Sequence, residues 1–599
     1  VTDAKRHALV FGSSGQIGRH LVLELLRAGA RTSVATRTPA SYERLRAWLA
    51  AHGAPEAPTD VRVDFEAADL LPGGPAAYTD ITEIHNCAGA YRFGMSVEEA
   101  RRANVGSAEA VVAFAARLPR LERLVQVSGY RVGGQDPAAV PWSEHRIEQA
   151  YREGPYEASR KEADAVVQAR ARELGVPWSI VNPATVIGDS RTGEAEQQLG
   201  LATTLEHLWR GGLPALPGGP TTFVPVIPVD YVARFMAMLP TDPSTVDTSY
   251  WLLDEHTPPL PELLGRVGAH YRVGVPRTRV PAQVLKRLPR RLTKADPETL
   301  TFLSDDRYPT DAANALAERH GLEKPDTMDS ILAWADHLAA HRFGAAPEPG
   351  RRFTRVGGAR TFELGDAEAQ RVILPGLPVN ADSWARVVEL LPETRAVDLP
   401  GTGMSPGTGR SGWDRWTAAL LADGGEGVHL IGQSIGAAVA LEAAAAHPDR
   451  RPSLTLVSPF FLQPRRAAPR PLIRWQLRRA DAADLAELLT GDRSQGPALE
   501  SVVSDLRRPG VAERVAGLAS AASDRKWRQR LRALLQRHRG PVHLVVGAND
   551  PLAPDARPLV DALANVRTTV IPGAGHHPQL THPDRLAAAI ASTPPPERR

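Results

Sequence analysis

The chain has 599 residues, 43% of them hydrophobic and 23% charged, which leaves room for two large or three ordinary domains and excludes a wholly disordered polymer. Its formal net charge is only +3, too small an excess to point to nucleic-acid binding. The single cysteine, Cys87, excludes an intramolecular disulfide framework and a cysteine-built zinc site.

Val1 to Lys5 run straight into an apolar strand-like segment, without a signal-peptide pattern. No apolar stretch approaches the roughly 20 residues of a membrane span, so a cytoplasmic location is expected. Oligomeric state is left open. Residues 6 to about 190 alternate short apolar runs with helical patterns. His7–Phe11, Thr32–Thr36, Val61–Phe65, Glu83–Cys87, Leu124–Ser128 and Trp178–Asn182 read as strands, and Arg19–Ala28 as the first helix. This βαβ rhythm predicts a mostly parallel sheet covered by helices. From about 200 to 342 proline is more frequent, with short strands expected at Val224–Tyr231 and Tyr250–Leu253. Phe343–Gly350 has linker composition.

A second α/β pattern follows, with strands expected at Arg371–Leu374, Thr394–Asp398, Val428–Ile431, Leu454–Val457, Val542–Val546 and Arg567–Ile571. Between the fourth and fifth lies a basic block, 465–540, with 17 Lys+Arg against 8 Asp+Glu. It reads as a helical insertion. The expected division is residues 1–342, a linker at 343–354, and residues 355–599 with a lid at about 465–540.

Gly12-Ser13-Ser14-Gly15-Gln16-Ile17-Gly18 places three glycines between a strand and a helix. Such a turn lets a pyrophosphate approach the backbone, and the helix that follows offers unpaired N–H groups. Gly12, Ser14, Gly15, Gln16, Ile17 and Gly18 are therefore candidate cofactor contacts. The second strand ends in Thr36-Arg37 without an acid that would grip a ribose hydroxyl. Arg37 suits a 2′-phosphate, and so NADP(H) over NAD(H).

These pieces, with His85–Ala90, Asn104-Val105-Gly106, Val127-Ser128, Tyr156–Lys161 and Asn182–Gly193, resemble extended short-chain dehydrogenase/reductases, especially the branch with thioester reductase and fatty-acyl reductase domains. The resemblance covers residues 6 to about 340. It implies that Ser128 polarises a carbonyl, that Tyr156 donates or accepts the proton, and that a lysine four residues later lowers the tyrosine pKa and holds the nicotinamide ribose. Here the fourth residue is Arg160, and Lys161 comes one later, about 100° round a regular helix. Either Arg160 substitutes, or the helix is irregular and Lys161 serves the cofactor, or the site is noncatalytic. Asn182 stands where the family often has arginine.

Gly432-Gln433-Ser434-Ile435-Gly436 is G-x-S-x-G between a strand and the apolar segment Ala437–Ala446, the pattern of a nucleophile on a cramped strand-to-helix elbow. With Asp398–Ser405, Val546–Asp550 and Gly573–Pro578 it resembles the α/β-hydrolases, over about residues 355 to 592. The resemblance implies Ser434 as nucleophile, His576 rather than His577 as base, Asp550 as acid, and the amides of Leu377 and Ile435 as oxyanion donors.

The expectation is an NADP(H)-dependent carbonyl or thioester reductase fused to a serine hydrolase or thioesterase. Its substrates would be acyl or polyketide-type, free or bound to CoA or a carrier protein, with no nucleic acid or metal involved. The alternative is an epimerase- or dehydratase-like or noncatalytic scaffold domain fused to an active esterase.

Overall fold

The computed structural model describes residues 6–593 except 68, 91, 93, 197–199, 286–299, 408, 424–426, 451 and 466–468. The chain forms two compact units. One comprises Val1–Leu205, Leu213–His270 and Val275–Ala335; the other comprises Glu206–Gly212, Tyr271–Gly274 and Asp336–Arg599. Among the described residues no helix is long and apolar enough to cross a membrane.

The first unit is built on seven parallel strands: β1 (His7–Phe11), β2 (Arg31–Thr36), β3 (Thr59–Arg62), β4 (Glu83–Asn86), β5 (Arg123–Val127), β6 (Trp178–Pro183) and β7 (Thr248–Leu252). Their order is β7-β6-β5-β4-β1-β2-β3. The strands β1, β4, β5 and β6 are buried along their whole length, as expected when helices cover both faces of a parallel sheet. Winding reverses between β1 and β4, so a crevice opens beyond their carboxyl ends. The turn Gly12–Gly15 sits there and leads into α1 (Gln16–Arg27), which buries Leu21, Val22, Leu25 and Leu26. A second long helix, α2 (Pro155–Leu174), starts with proline at N1 and stops at Gly175 with φ 67°, a left-handed stop that suits glycine.

Two expectations for this unit need correction. The third strand is not Val61–Phe65 but Thr59–Arg62, paired with β2 through Ser33↔Thr59 to Thr36↔Arg62. Its charged Asp60 and Arg62 share one partly exposed face of an edge strand, which hides the alternation. Val224–Tyr231 is a strand only over Val226–Pro228; Val229–Met238 is helical and buries Val229, Val232, Ala233 and Met236. That spacing is helical, and Pro228 caps its start.

The second unit holds eight strands: β8 (Arg351–Val356), β9 (Ala359–Gly365), β10 (Arg371–Leu374), β11 (Thr394–Val397), β12 (His429–Gln433), β13 (Ser453–Val457), β14 (Val542–Gly547) and β15 (Val566–Ile571). The order is β8-β9-β11-β10-β12-β13-β14-β15. β8, β9 and β11 pair antiparallel, and the rest are parallel. The hairpin β8–β9 corrects the linker expected at 343–354: Arg351–Val356 is already sheet, closed by Gly357-Gly358 at φ 58° and 82°.

The basic block folds into α4 (Arg470–Arg479), α5 (Ala482–Thr490), α6 (Glu500–Arg507), α7 (Val511–Ala521) and α8 (Arg525–Arg537), downstream of α3 (Ile435–Ala446). The first four share a small core of Leu477, Leu485, Leu499, Val502, Leu506 and Val515. The helix α8 differs. Its Trp527, Leu531 and Leu535 belong to the main core, with Leu441, Leu454 and Leu544. The lid-like part therefore ends before α8, which covers the sheet.

Candidate functional site

In the first unit a cleft of about 1210 Å³ runs past the glycine turn, Arg37, Ser128, Tyr156 and Arg160. The cradle is shaped by missing side chains. Gly12 has φ 70°, and a β-carbon there would lie 2.6 Å from the Cys87 carbonyl; one on Gly18 would lie 2.2 Å from the Gly12 oxygen. At Gly15 the nearest obstruction would be 3.4 Å away, and its conformation is extended (φ −81°, ψ 171°). Gly12 and Gly18 thus close the turn onto the sheet, and Gly15 opens it toward the first N–H groups of α1. The residues fit a dinucleotide pyrophosphate. Ser14, Gln16 and Ile17 also line the cleft. The Gln16 amide additionally donates to the Ile187 carbonyl at 3.1 Å, which holds the turn against the strand beyond β6.

Just beyond the carboxyl end of β2, Arg37 lines the cleft beside Ser41 and Arg62. Arg62 pairs with Asp60 at 2.6 Å, and Asp60 accepts from Thr36 Oγ1 at 2.7 Å. Sequence reasoning missed Arg62, because the strand was placed two residues late.

Tyr156 and Arg160 lie one turn apart on α2, and both line the cleft. The Arg160 Nη2 donates to the Val127 carbonyl at 3.0 Å and the Ser128 carbonyl at 2.8 Å. Its Nη1 would be 2.8 Å from a β-carbon on Gly89. The guanidinium is thus committed to the end of β5. Lys161 is not in the cleft wall; it pairs with Glu157 at 2.8 Å, as its position about 100° round a regular helix requires. The expectation that Lys161 holds the cofactor thus finds no support in the lining of the cleft.

Ser128 lines the cleft, but its hydroxyl oxygen is buried, without a hydrogen bond inside ordinary limits. It faces Asp164, whose carboxyl is pushed up to about 6 by burial, against the Gln135 amide and the Ser128 hydroxyl. Asn182 is wholly buried in β6. Cys87 is half-buried in the cleft wall, and desolvation pushes its thiol up to about 12.

In the second unit β12 delivers Ser434 to a turn at φ 53°, ψ −107°, and Ile435 begins α3 at once. This backbone is strained for a residue with a side chain. Its flanking glycines are required by contact. A β-carbon on Gly432 would lie 2.3 Å from the Gly436 oxygen, and one on Gly436 2.0 Å from the Leu374 oxygen. Asp550 follows β14 and His576 follows β15, so all three residues stand beyond the carboxyl ends of parallel strands.

The distances join them. His576 Nε2 is 3.0 Å from Ser434 Oγ, and His576 Nδ1 is 2.7 Å from Asp550 Oδ2. A carboxylate only accepts, so Nδ1 carries the proton and Nε2 is free to accept from serine. His577 is fully buried, and desolvation followed by the neighbouring His576 holds it well below the ordinary histidine range. It points to Gln579 at 3.3 Å, not to Ser434.

The Ile435 N–H belongs to the first residue of α3 and has no partner within the helix. Leu377 follows Gly376 in the loop after β10 and precedes a cis proline, Pro378. Sequence reasoning missed two glutamines. Gln433 donates to the His576 carbonyl at 3.0 Å, and Gln463 donates to Asp550 Oδ2. Neither sits in a recognisable pattern; Gln433 is the variable position of G-x-S-x-G.

Comparison with known proteins agrees with both architectures. The sequence pattern of an NAD-binding family described as male sterility protein matches residues 10–236, and that of the alpha/beta hydrolase family matches residues 372–589. A pimeloyl-[acyl-carrier protein] methyl ester esterase of Edwardsiella ictaluri is 32% identical over 251 residues, 38% of this chain and 93% of the esterase. The esterase of the same name from Aromatoleum aromaticum is 31% identical over 248 residues, 37% of this chain and 95% of its own. Among solved structures, the terminal R domain of the myxalamid PKS-NRPS pathway aligns at TM-score 0.47 with 22% identity, over 58% of this chain and 94% of that one. A UDP-N-acetylglucosamine 4-epimerase from Methanobrevibacter ruminantium aligns at 0.41 with 13% identity, over 56% and 99%.

The chain is thus a Rossmann-type NAD(P)-binding domain of oxidoreductase type followed by an α/β-hydrolase domain with helical insertions. Through the second unit it belongs to the α/β-hydrolase family that includes these esterases.

Proposed function

We propose that the second unit is a serine esterase or thioesterase that releases acyl groups from a carrier-borne substrate, and that the first unit is an NADP(H)-binding module. The observation that carries the reading is the relay Ser434 Oγ–His576 Nε2 at 3.0 Å and His576 Nδ1–Asp550 Oδ2 at 2.7 Å on a strained elbow. His576 takes the Ser434 proton as the oxygen attacks the acyl carbonyl. The Leu377 and Ile435 amides stabilise the oxyanion. The imidazolium then protonates the leaving alcohol or thiol, and water attacks the acyl-serine by the same route in reverse.

The names of the related esterases support an acyl group on a carrier protein as the substrate class. The surface of α4 suits a partner that brings negative charge, as the phosphate of a carrier-protein arm would: Leu472 and Trp475 are exposed beside Arg474, Arg478 and Arg479. Glu513 neutralises only part of this face, through Arg470 at 2.8 Å and Arg474 at 3.0 Å.

For the first unit, Gly12, Gly15 and Gly18 would hold the pyrophosphate, and Arg37 the 2′-phosphate. A bound nicotinamide would supply hydride. Tyr156 would hold a proton at its phenol oxygen, with Arg160 as the neighbouring cation. The buried Ser128 hydroxyl and the engaged Arg160 guanidinium favour a noncatalytic, ligand-holding role over hydride transfer to a carbonyl or thioester. The reductase reading keeps one support, the i,i+4 placement of Tyr156 and Arg160 in the cleft wall.

The test is product analysis of a medium-chain acyl-carrier-protein thioester and of its ω-methyl ester, with and without NADPH. Free acid formed equally with and without NADPH, and lost in Ser434→Ala, is expected. An NADPH-dependent aldehyde or alcohol would restore the reductase reading. Acid release that survives Ser434→Ala would remove the esterase assignment.

A further inference from the structure

Asp550 Oδ2 accepts two hydrogen bonds, one from His576 Nδ1 and one from the side-chain amide of Gln463. Gln463 lies just past β13 and is buried, with 5% of its surface exposed. Its backbone is fixed independently of Asp550. The Arg528 guanidinium donates to the Gln463 carbonyl, and the Ala553 amide donates to the carbonyl of neighbouring Leu462 at 2.8 Å.

Arg528 stands on α8, which Asp524 caps by accepting from the Trp527 amide at 2.9 Å and which Trp527, Leu531 and Leu535 root in the sheet core. A continuous line of contacts therefore runs from the core through α8, Arg528 and Gln463 to the acid of the relay.

We infer that Gln463 is a positioning residue of the hydrolase site, holding the Asp550 carboxylate in the one orientation that presents Oδ2 to His576. The inference rests on the reading of Ser434, His576 and Asp550 as the catalytic set. A carboxylate at the end of a loop swings about two side-chain torsions, and a second donor on the same oxygen stops that rotation. The amide also occupies part of the carboxylate's hydrogen-bonding capacity, so Oδ2 stays aimed at the imidazole while the imidazole changes charge. Gln463 touches no reacting atom; its effect reaches the chemistry only through Asp550.

The experiment measures kcat and KM for hydrolysis of a p-nitrophenyl acyl ester by the full chain carrying Gln463→Met, which keeps length and removes the donor. It does so alone and in an Asp550→Asn background. Expected is a fall in kcat of about tenfold or more with KM unchanged within about twofold, and no further fall when Asp550 is already replaced. Wild-type kcat in Gln463→Met, or an equal loss in both backgrounds, overturns the inference.

Should Gln463→Met fail to fold, Gln463→Leu takes its place. It too removes the amide donor, and it must show the same selective loss in kcat; wild-type kcat there also overturns the inference. The catalytic reading is judged apart from Gln463, by labelling of the wild type with a fluorophosphonate. Unlabelled Ser434, or hydrolysis undiminished in Ser434→Ala, removes that reading and the inference with it. Labelled Ser434 with unaffected Gln463 variants removes only the inference.

Discussion

A β-carbon on Gly376 would lie 2.0 Å from the Gln433 side-chain oxygen and 2.8 Å from the Ser434 β-carbon. The loop that offers the Leu377 amide is thus pressed onto the nucleophile elbow, and Gln433 cannot yield without releasing the His576 carbonyl that it holds at 3.0 Å. Gly376→Ala is expected to lower stability by about 1–3 kcal/mol. It should lower kcat by about 100-fold, since misplacement of a catalytic group by an ångström costs that much. Urea unfolding and ester hydrolysis measure the two effects, and a variant with wild-type kcat would contradict the close packing.

The two adjacent histidines should separate cleanly. His576→Gln and Ser434→Ala are expected to cut ester hydrolysis by about 10⁴-fold or more. His577→Gln should keep turnover within about tenfold and show its effect in thermal stability. Equal losses of activity in the two histidine variants would mean that the base is misassigned.

The lysine–arginine displacement in the first unit is also testable. Lys161 is absent from the cleft lining and is tied at 2.8 Å to Glu157, which is part of it, so Lys161→Ala should leave NADPH affinity within about twofold. Arg37→Ala should weaken NADPH by about tenfold while leaving NADH unchanged, the loss of one charge-assisted contact. Equilibrium titration of nicotinamide fluorescence reads both. A Lys161→Ala defect larger than that of Arg37→Ala would reverse the assignment.

The hydrolase unit carries acid-sensitive stability. Burial, then Arg371 and His543, lowers His429 to about 3, and burial with Arg567 lowers His543 to about 4. An unfolded histidine titrates near 6.5, so the stability due to neutral His429 is complete above that value. It is lost as pH falls from 6.5 toward the folded value, about 2 kcal/mol between pH 7 and pH 5. Asp398 acts in the opposite sense. Burial and nearby Asp505 raise it to about 7, so its contribution is lost as pH rises from about 4 to 7. The difference between wild type and His429→Asn isolates the histidine. Relative to the variant, wild type should lose about 2 kcal/mol from pH 7 to pH 5 in urea unfolding, and parallel curves would refute the assignment.

Both sheets were legible because buried parallel strands are short apolar runs between punctuating glycines, as in His7–Phe11 and Val542–Gly547. The elbow was legible for a steric reason, since Gly432 and Gly436 are the residues that its contacts demand. Legibility failed where side-chain chemistry disguised the backbone. Strand β3 carries Asp60 and Arg62 on a half-exposed edge, and β8 carries three arginines, so neither alternates as a strand should. Gln463 and Arg62 act through partners 87 and 2 residues away, Asp550 and Asp60. The first of these is a meeting of two loops that no local spacing encodes.

Cys87 gives this two-unit chain an internal clock. It is the one thiol in the sequence, and its pKa is pushed up to about 12 by burial, so at neutral pH almost none of it is the thiolate that alkylating reagents attack. Because Cys87 also lines the cleft, its slow alkylation in the native protein depends on how far that cleft is wetted or filled. The hydrolase unit contributes no signal of its own. Mass added per unit time then reports the state of the first unit's cleft inside an intact fusion, without cutting the chain or attaching a probe.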